Sequence, residues 1–111
     1  MSYQLILTQR FEKHYKKLTL PEKKQLKSKL ELLSVNPLHP SLRTKRIQGA
    51  KDLFECSVNM DIRIIWYYEN NTMIILVDVG HHDILNNINT QKAGELQIHP
   101  AFFLVYRQSF G

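Results

Sequence analysis

The chain has 111 residues, 43% of them hydrophobic and 23% charged, which fits one packed domain and excludes a globally disordered polymer. Its single cysteine, Cys56, excludes an intrachain disulfide, and no apolar run is long enough to span a bilayer as a helix. Those two facts exclude a disulfide-stapled scaffold and a helical membrane protein, and they make a reducing, cytoplasmic setting the expectation. The first twenty residues hold Arg10, Lys13, Lys16 and Lys17 without a long apolar stretch, so no secretory leader is expected. Four well-separated glycines make no phosphate-cradling loop, and metal-ligand spacings are absent, so neither a metal nor another cofactor is expected. The net charge of +5 hides an asymmetry: residues 1–51 carry twelve Lys/Arg against three acids, net +9, and residues 52–111 carry net −4. A small basic half suits a polyanion or an acidic protein partner.

In chain order, residues 3–7 (Tyr-Gln-Leu-Ile-Leu) read as a short strand. Thr8 caps a helix in which Phe11, Tyr15 and Leu18 recur at helical spacing. Thr19-Leu20-Pro21-Glu22 is a capping box with proline in the first turn. Leu26, Leu30 and Leu33 give the second helix its apolar stripe, with Lys23, Lys24, Lys27 and Lys29 mostly off it, and Asn36-Pro37 ends it. Residues 38–49 read as an irregular basic connection. Three strands follow: residues 53–58, residues 62–68, and an apolar run over residues 73–79 with the features of a central strand covered on both faces. Tight turns around residues 59–61 and 69–72 join them. The expectation is an α+β fold in the order β-α-α-β-β-β, with two N-terminal helices on a mostly antiparallel four-stranded sheet. Its domain spans residues 1–88, and residues 89–111 form a C-terminal extension with an apolar aromatic run at 102–106.

The ordered series Phe11-Glu12-Lys13-His14-Tyr15-Lys16-Lys17-Leu18, Ile47-Gln48-Gly49, Leu53-Phe54-Glu55-Cys56, Asp61-Ile62-Arg63-Ile64-Ile65-Trp66 and Val79-Gly80-His81-His82-Asp83 resembles the RelE/ParE toxin superfamily of bacterial toxin–antitoxin systems. Within it the chain is most similar to the mRNA endoribonucleases of the RelE and YafQ type, over residues 3–85. The resemblance implies a toxin that enters the ribosome and cuts mRNA. The RNA's own 2′-hydroxyl attacks the adjacent phosphate, without a metal, and a cognate antitoxin masks the basic surface. Two other readings share the fold: a ParE-like inhibitor of DNA gyrase, and an RNA- or antitoxin-binding member with weakened catalysis.

Such a cleavage requires a base, an acid and cationic donors around the transition state. Arg63 is the only charge within residues 62–68, and its planar fork suits a phosphate; its structural alternative is an ion pair with Asp78. His82 aligns with the family's catalytic residue after the strand-end glycine, and its proposed role is the acid. His81 or Asp61 supplies the base, and since neighbouring strand residues face opposite ways, only one of the two histidines shares Arg63's face. Arg43, Lys45, Arg46 and Lys51 are the candidate RNA-backbone contacts. The sequence also departs from its relatives. Phe54 and Cys56 stand where RelE-type enzymes carry lysines, Ser57 stands near a YafQ-type histidine, and Leu85 and Asn86 stand near the family's terminal aromatic.

Overall fold

The computed structural model describes residues 2–81; His82, the boundary expected near residue 88 and the 102–106 run lie outside the described residues. Strand β1, Gln4–Leu7, alternates exposed and buried positions as a half-covered strand must. Helix α1, Gln9–Tyr15, starts at Thr8, whose side chain accepts from the Phe11 amide. The same hydroxyl lies 2.9 Å from the carbonyls of Leu76 and Val77, which ties the helix start to the sheet. Helix α2, Leu20–Val35, opens with the full capping box, Glu22 Oε1 accepting from the Thr19 amide at 2.8 Å. Its stripe of Leu26, Leu30 and Leu33 is wholly buried.

A 3-10 turn, Pro40–Leu42, leads into β2 at Lys45–Arg46, then β3 at Phe54–Ser57, β4 at Ile62–Glu69 and β5 at Met73–His81. The sheet order is β1-β5-β4-β3-β2. β1 runs parallel to β5, the pairing that a two-helix crossover permits, and the other pairs are antiparallel. β5 is interior, and residues 74–79 are all buried, as the uninterrupted apolar run requires. The sheet has five strands rather than the expected four. The fifth, β2, lies in the segment that reads as an irregular connection. Two basic residues carry no alternation of their own; they become a strand because β3 pairs with them, Lys45 opposite Glu55 and Arg46 opposite Phe54.

The main core joins Phe11, Leu18 and the α2 stripe to Leu5, Leu7, Cys56, Ile62, Ile64, Trp66, Ile74, Leu76 and Val79. A smaller cluster of Leu53, Ile65 and Val77 packs with Ile47, Ala50 and Tyr67. Both surfaces of the inner strands are thus covered near the middle of the sheet. Gly49, at φ 82°, takes a left-handed conformation in the turn before β3 that a side chain would strain.

Candidate functional site

The β3–β4 turn is organised by Asn59. Its Oδ1 accepts from the amides of Asp61 and Ile62 at 2.8 and 2.7 Å, and its Nδ2 donates to Gln25 Oε1 on α2 at 2.7 Å. Its main-chain carbonyl accepts from Arg63 Nη1 at 2.7 Å, and the Ile62 carbonyl accepts from the same nitrogen at 3.1 Å. The turn therefore fixes the half-buried Arg63 side chain on the strand that leaves it. Across the ladder Arg63 faces Ser57 on β3 and Gly80 on β5.

Arg63 makes no ion pair with a carboxylate of the described residues. Asp78 is committed elsewhere. It is fully buried opposite Ile65, and it accepts from Arg10 Nε at 2.8 Å and from His14 Nδ1 at 2.5 Å, both on α1. The structural alternative for Arg63 is thereby removed.

Asp61 is exposed at the end of the turn, two residues before Arg63. Its Oδ2 pairs with Nδ1 of the exposed His81 at the end of β5. A carboxylate on one ring nitrogen fixes the tautomer and supports a proton on that side, the arrangement in which the other nitrogen exchanges protons. His81 stands opposite Ile62, and Gly80 stands opposite Arg63, so strand alternation turns His81 away from the face that Arg63 shares with Gly80. His82 lies outside the described residues.

The basic segment divides. Arg43 joins Arg63 in an open groove of about 210 Å³ lined also by Lys29, Ser41, Ser57, Val58, Asn59 and Met60. Lys45 pairs with Glu55 at 3.4 Å, and the Arg46 guanidinium lies 5.3 Å from the centre of the Phe54 ring. Lys51 is exposed in the turn after Gly49. Lys29 is the residue that sequence reasoning missed. It precedes the buried Leu30 and looks like any solvated lysine of the helix; only the docking of α2 beside the turn brings it to the groove. Cys56, one residue before Ser57, points into the core, where burial pushes its thiol up to about 12. It is no nucleophile at neutral pH.

The family model described as "Bacterial toxin of type II toxin-antitoxin system, YafQ" matches residues 3–87. The chain belongs to this family. No curated protein sequence matches it significantly. Among solved structures, the fold is similar to that of E. coli YafQ in its complex with DinJ, with a TM-score of 0.63, 20% identity, and coverage of 77% of this chain and 98% of that one. The archaeal RelE–RelB complex from Pyrococcus horikoshii gives a TM-score of 0.63 at 15% identity, covering 75% of this chain and 98% of that one. A mutant toxin from Helicobacter pylori gives 0.60 at 26% identity, covering 77% and 99%. The α+β architecture and the RelE/YafQ-type resemblance of the sequence are both borne out. No helix among the described residues is long and apolar enough to cross a membrane.

Proposed function

We propose that this type II toxin is a ribosome-dependent endoribonuclease of the cytoplasm that cuts mRNA by attack of a 2′-hydroxyl on the adjacent phosphate, without a metal. The observation that carries the reading is Arg63, a half-buried cation on an apolar strand, without a carboxylate partner among the described residues, on the strand that follows the turn holding Asp61. A buried or half-buried charge requires a counter-charge, and a phosphate at the Arg63 surface would supply it. Arg63 donates to the non-bridging oxygens and stabilises the added negative charge of the transition state. His82 protonates the leaving 5′-oxygen. Asp61 or His81, held together by their hydrogen bond, takes the 2′-hydroxyl proton. Arg43 and, further along the basic segment, Lys45, Arg46 and Lys51 contact the RNA backbone.

The partner is a cognate antitoxin. The E. coli YafQ and P. horikoshii RelE relatives were crystallised with DinJ and RelB, respectively. An acidic, extended antitoxin segment suits the +9 half of this chain.

The test is mRNA cleavage on programmed ribosomes, after circular dichroism confirms folding. Arg63→Ala is expected to lose about 100- to 1,000-fold in rate. His82→Ala and His81→Ala are each expected to lose about 100- to 10,000-fold. Wild-type activity in His82→Ala would remove that residue from the mechanism. A wild-type protein that leaves mRNA intact and inhibits DNA gyrase would transfer the chain to the ParE-like reading.

A further inference from the structure

Five cations of the described residues have an anionic or aromatic partner, and Lys13, Lys17, Lys24, Lys27 and Lys51 lie outside both these pairs and the groove, so what distinguishes the groove is that it gathers three cations on one acid-free lining. Arg10 pairs with Asp78, Lys16 with Glu12 and Lys45 with Glu55. Lys23 lies over the Tyr15 ring and Arg46 over the Phe54 ring. The three cations of the groove, Lys29, Arg43 and Arg63, form no ion pair with a described residue, and the groove lining contains no acid. Three like charges facing one cavity repel each other, and Lys29 and Arg63 are half-buried, so their mutual cost is highest where water is least available. Arg43 adds a second observation. It caps the 3-10 turn at φ 51°, ψ 44°, a left-handed conformation uncommon for a residue with a Cβ. Its amide bonds to the Pro40 carbonyl at 3.1 Å, and the next side chain, Thr44, donates to the Pro37 carbonyl at 2.6 Å, so the surroundings hold it there. A glycine would occupy this position without strain.

We propose that Lys29 and Arg43 form a second phosphate subsite in the groove, which takes the phosphate next to the one at Arg63 on the same single RNA strand. This rests on Arg63 being the site of the scissile phosphate. Lys29, rigid on α2, acts as a point charge; Arg43, on the turn, brings a fork that can hold two oxygens. Two strand phosphates held at two fixed points set the direction of the RNA across the site and keep the 2′-hydroxyl between them in line for attack. Ser41 and Ser57, on the same lining, add hydroxyl donors. On β3, Cys56 points into the core and Ser57 lines the groove, so the groove's other two cations come from α2 and the 3-10 turn.

The experiment measures binding by fluorescence anisotropy with short labelled oligoribonucleotides that carry 2′-deoxyribose throughout the central positions, so that nothing is cleaved. The variants are Lys29→Gln, Arg43→Gly and their double, with Lys16→Gln as a control outside the groove. Each contact to a phosphate of a single strand contributes about 0.7 to the slope of log K against log salt. Lys29→Gln and Arg43→Gly are each expected to lower the slope by that amount and to weaken binding several-fold, while Lys16→Gln changes neither. A trinucleotide with two phosphates should bind the wild type more tightly than a dinucleotide with one, and the double variant should lose that difference. Arg43→Gly should melt no lower than wild type, which separates a lost contact from a lost fold. Unchanged affinity and slope in both single variants, or a wild type blind to the second phosphate, would overturn the subsite. A wild type that binds with these signatures yet leaves ribosome-bound mRNA uncut would keep the subsite and reject the nuclease reading.

Discussion

Adjacent residues on β3 have opposite chemical fates. Ser57 pairs with Arg63 and lines the groove; Cys56 pairs with Ile64 and is fully buried between the helices and the sheet. Its neighbour Trp66 has a buried Nε1 without a hydrogen-bond partner of normal geometry, and the Cys56 sulfur beside it is at most a weak acceptor. Burial therefore dominates the thiol and pushes its pKa from 9.0 to about 12. Because the folded value lies above the unfolded one, the protonated thiol stabilises the fold fully below pH 9, and that stability is lost as pH rises toward 12. The three-unit difference corresponds to about 4 kcal/mol at most. Tyr15, Tyr67 and Tyr68, raised by burial as well, act in the same direction. Urea titrations at pH 6, 7.5 and 10.5 should show a midpoint that is level between the first two and falls at the third. Cys56→Ala, although less stable at pH 7, should show a shallower fall above pH 9. An equal fall in both proteins would mean that the thiol is not the group responsible.

At the scale of elements, α1 is held to the sheet chiefly by polar contacts. It is seven residues long and buries one of them, Phe11, too little to be stable alone. Thr8 fastens its start to β5, and Asp78 in the middle of β5 holds Arg10 and His14. The side chains of Arg10 and His14 are about one-third exposed and that of Asp78 is almost fully buried, so removing the carboxylate leaves Arg10 without its counter-charge and His14 without its hydrogen-bond partner. Asp78→Asn is expected to cost about 2–3 kcal/mol, below the value for a fully buried pair because solvent screens the partners. Arg10→Gln alone should cost less. The double variant should cost less than the sum, because the two changes remove one network. Additive losses in urea unfolding would show that the contacts act independently. This clamp was not legible in the sequence: Asp78 is 68 residues from Arg10, and its most visible match was Arg63 on the next strand. α2 was legible because its signals are local, a capping box before a leucine stripe with Asn36-Pro37 at its end. β2 was not, because two residues carry no period and the strand exists only through its partner. The same distinction runs through the site. The pairing of Asp61 with His81 joins the β3–β4 turn to the end of the strand paired with β4, and hairpin spacing makes such a meeting legible. Lys29 reaches the groove only when α2 has docked, and no local pattern reports that.

Across the whole molecule, charge is separated from core. The apolar strands β4 and β5 carry few ionisable groups, and the buried one, Asp78, holds α1. The first 51 residues hold the excess of +9 on the helices and on the segment that leads to β3. Self-repulsion of this size favours solubility of the free chain and opposes compactness. A ligand that neutralises the surface therefore stabilises the fold as well as occluding it. For an acidic antitoxin segment, long-range attraction acts mainly on the encounter, and the apolar contacts that form afterwards act on dissociation. At 0.1 M salt the screening length is about 10 Å, smaller than the molecule, and at 1 M it is about 3 Å. The association rate of toxin and antitoxin, measured by stopped-flow, is expected to fall by at least about tenfold between 0.05 and 0.5 M NaCl. The dissociation rate should change much less. The melting temperature of the toxin alone should rise over the same range as its self-repulsion is screened. An association rate indifferent to salt would show that the basic half is not the surface on which the antitoxin first lands, and would direct the search to the apolar residues Val35 and Leu38, exposed at the far end of α2.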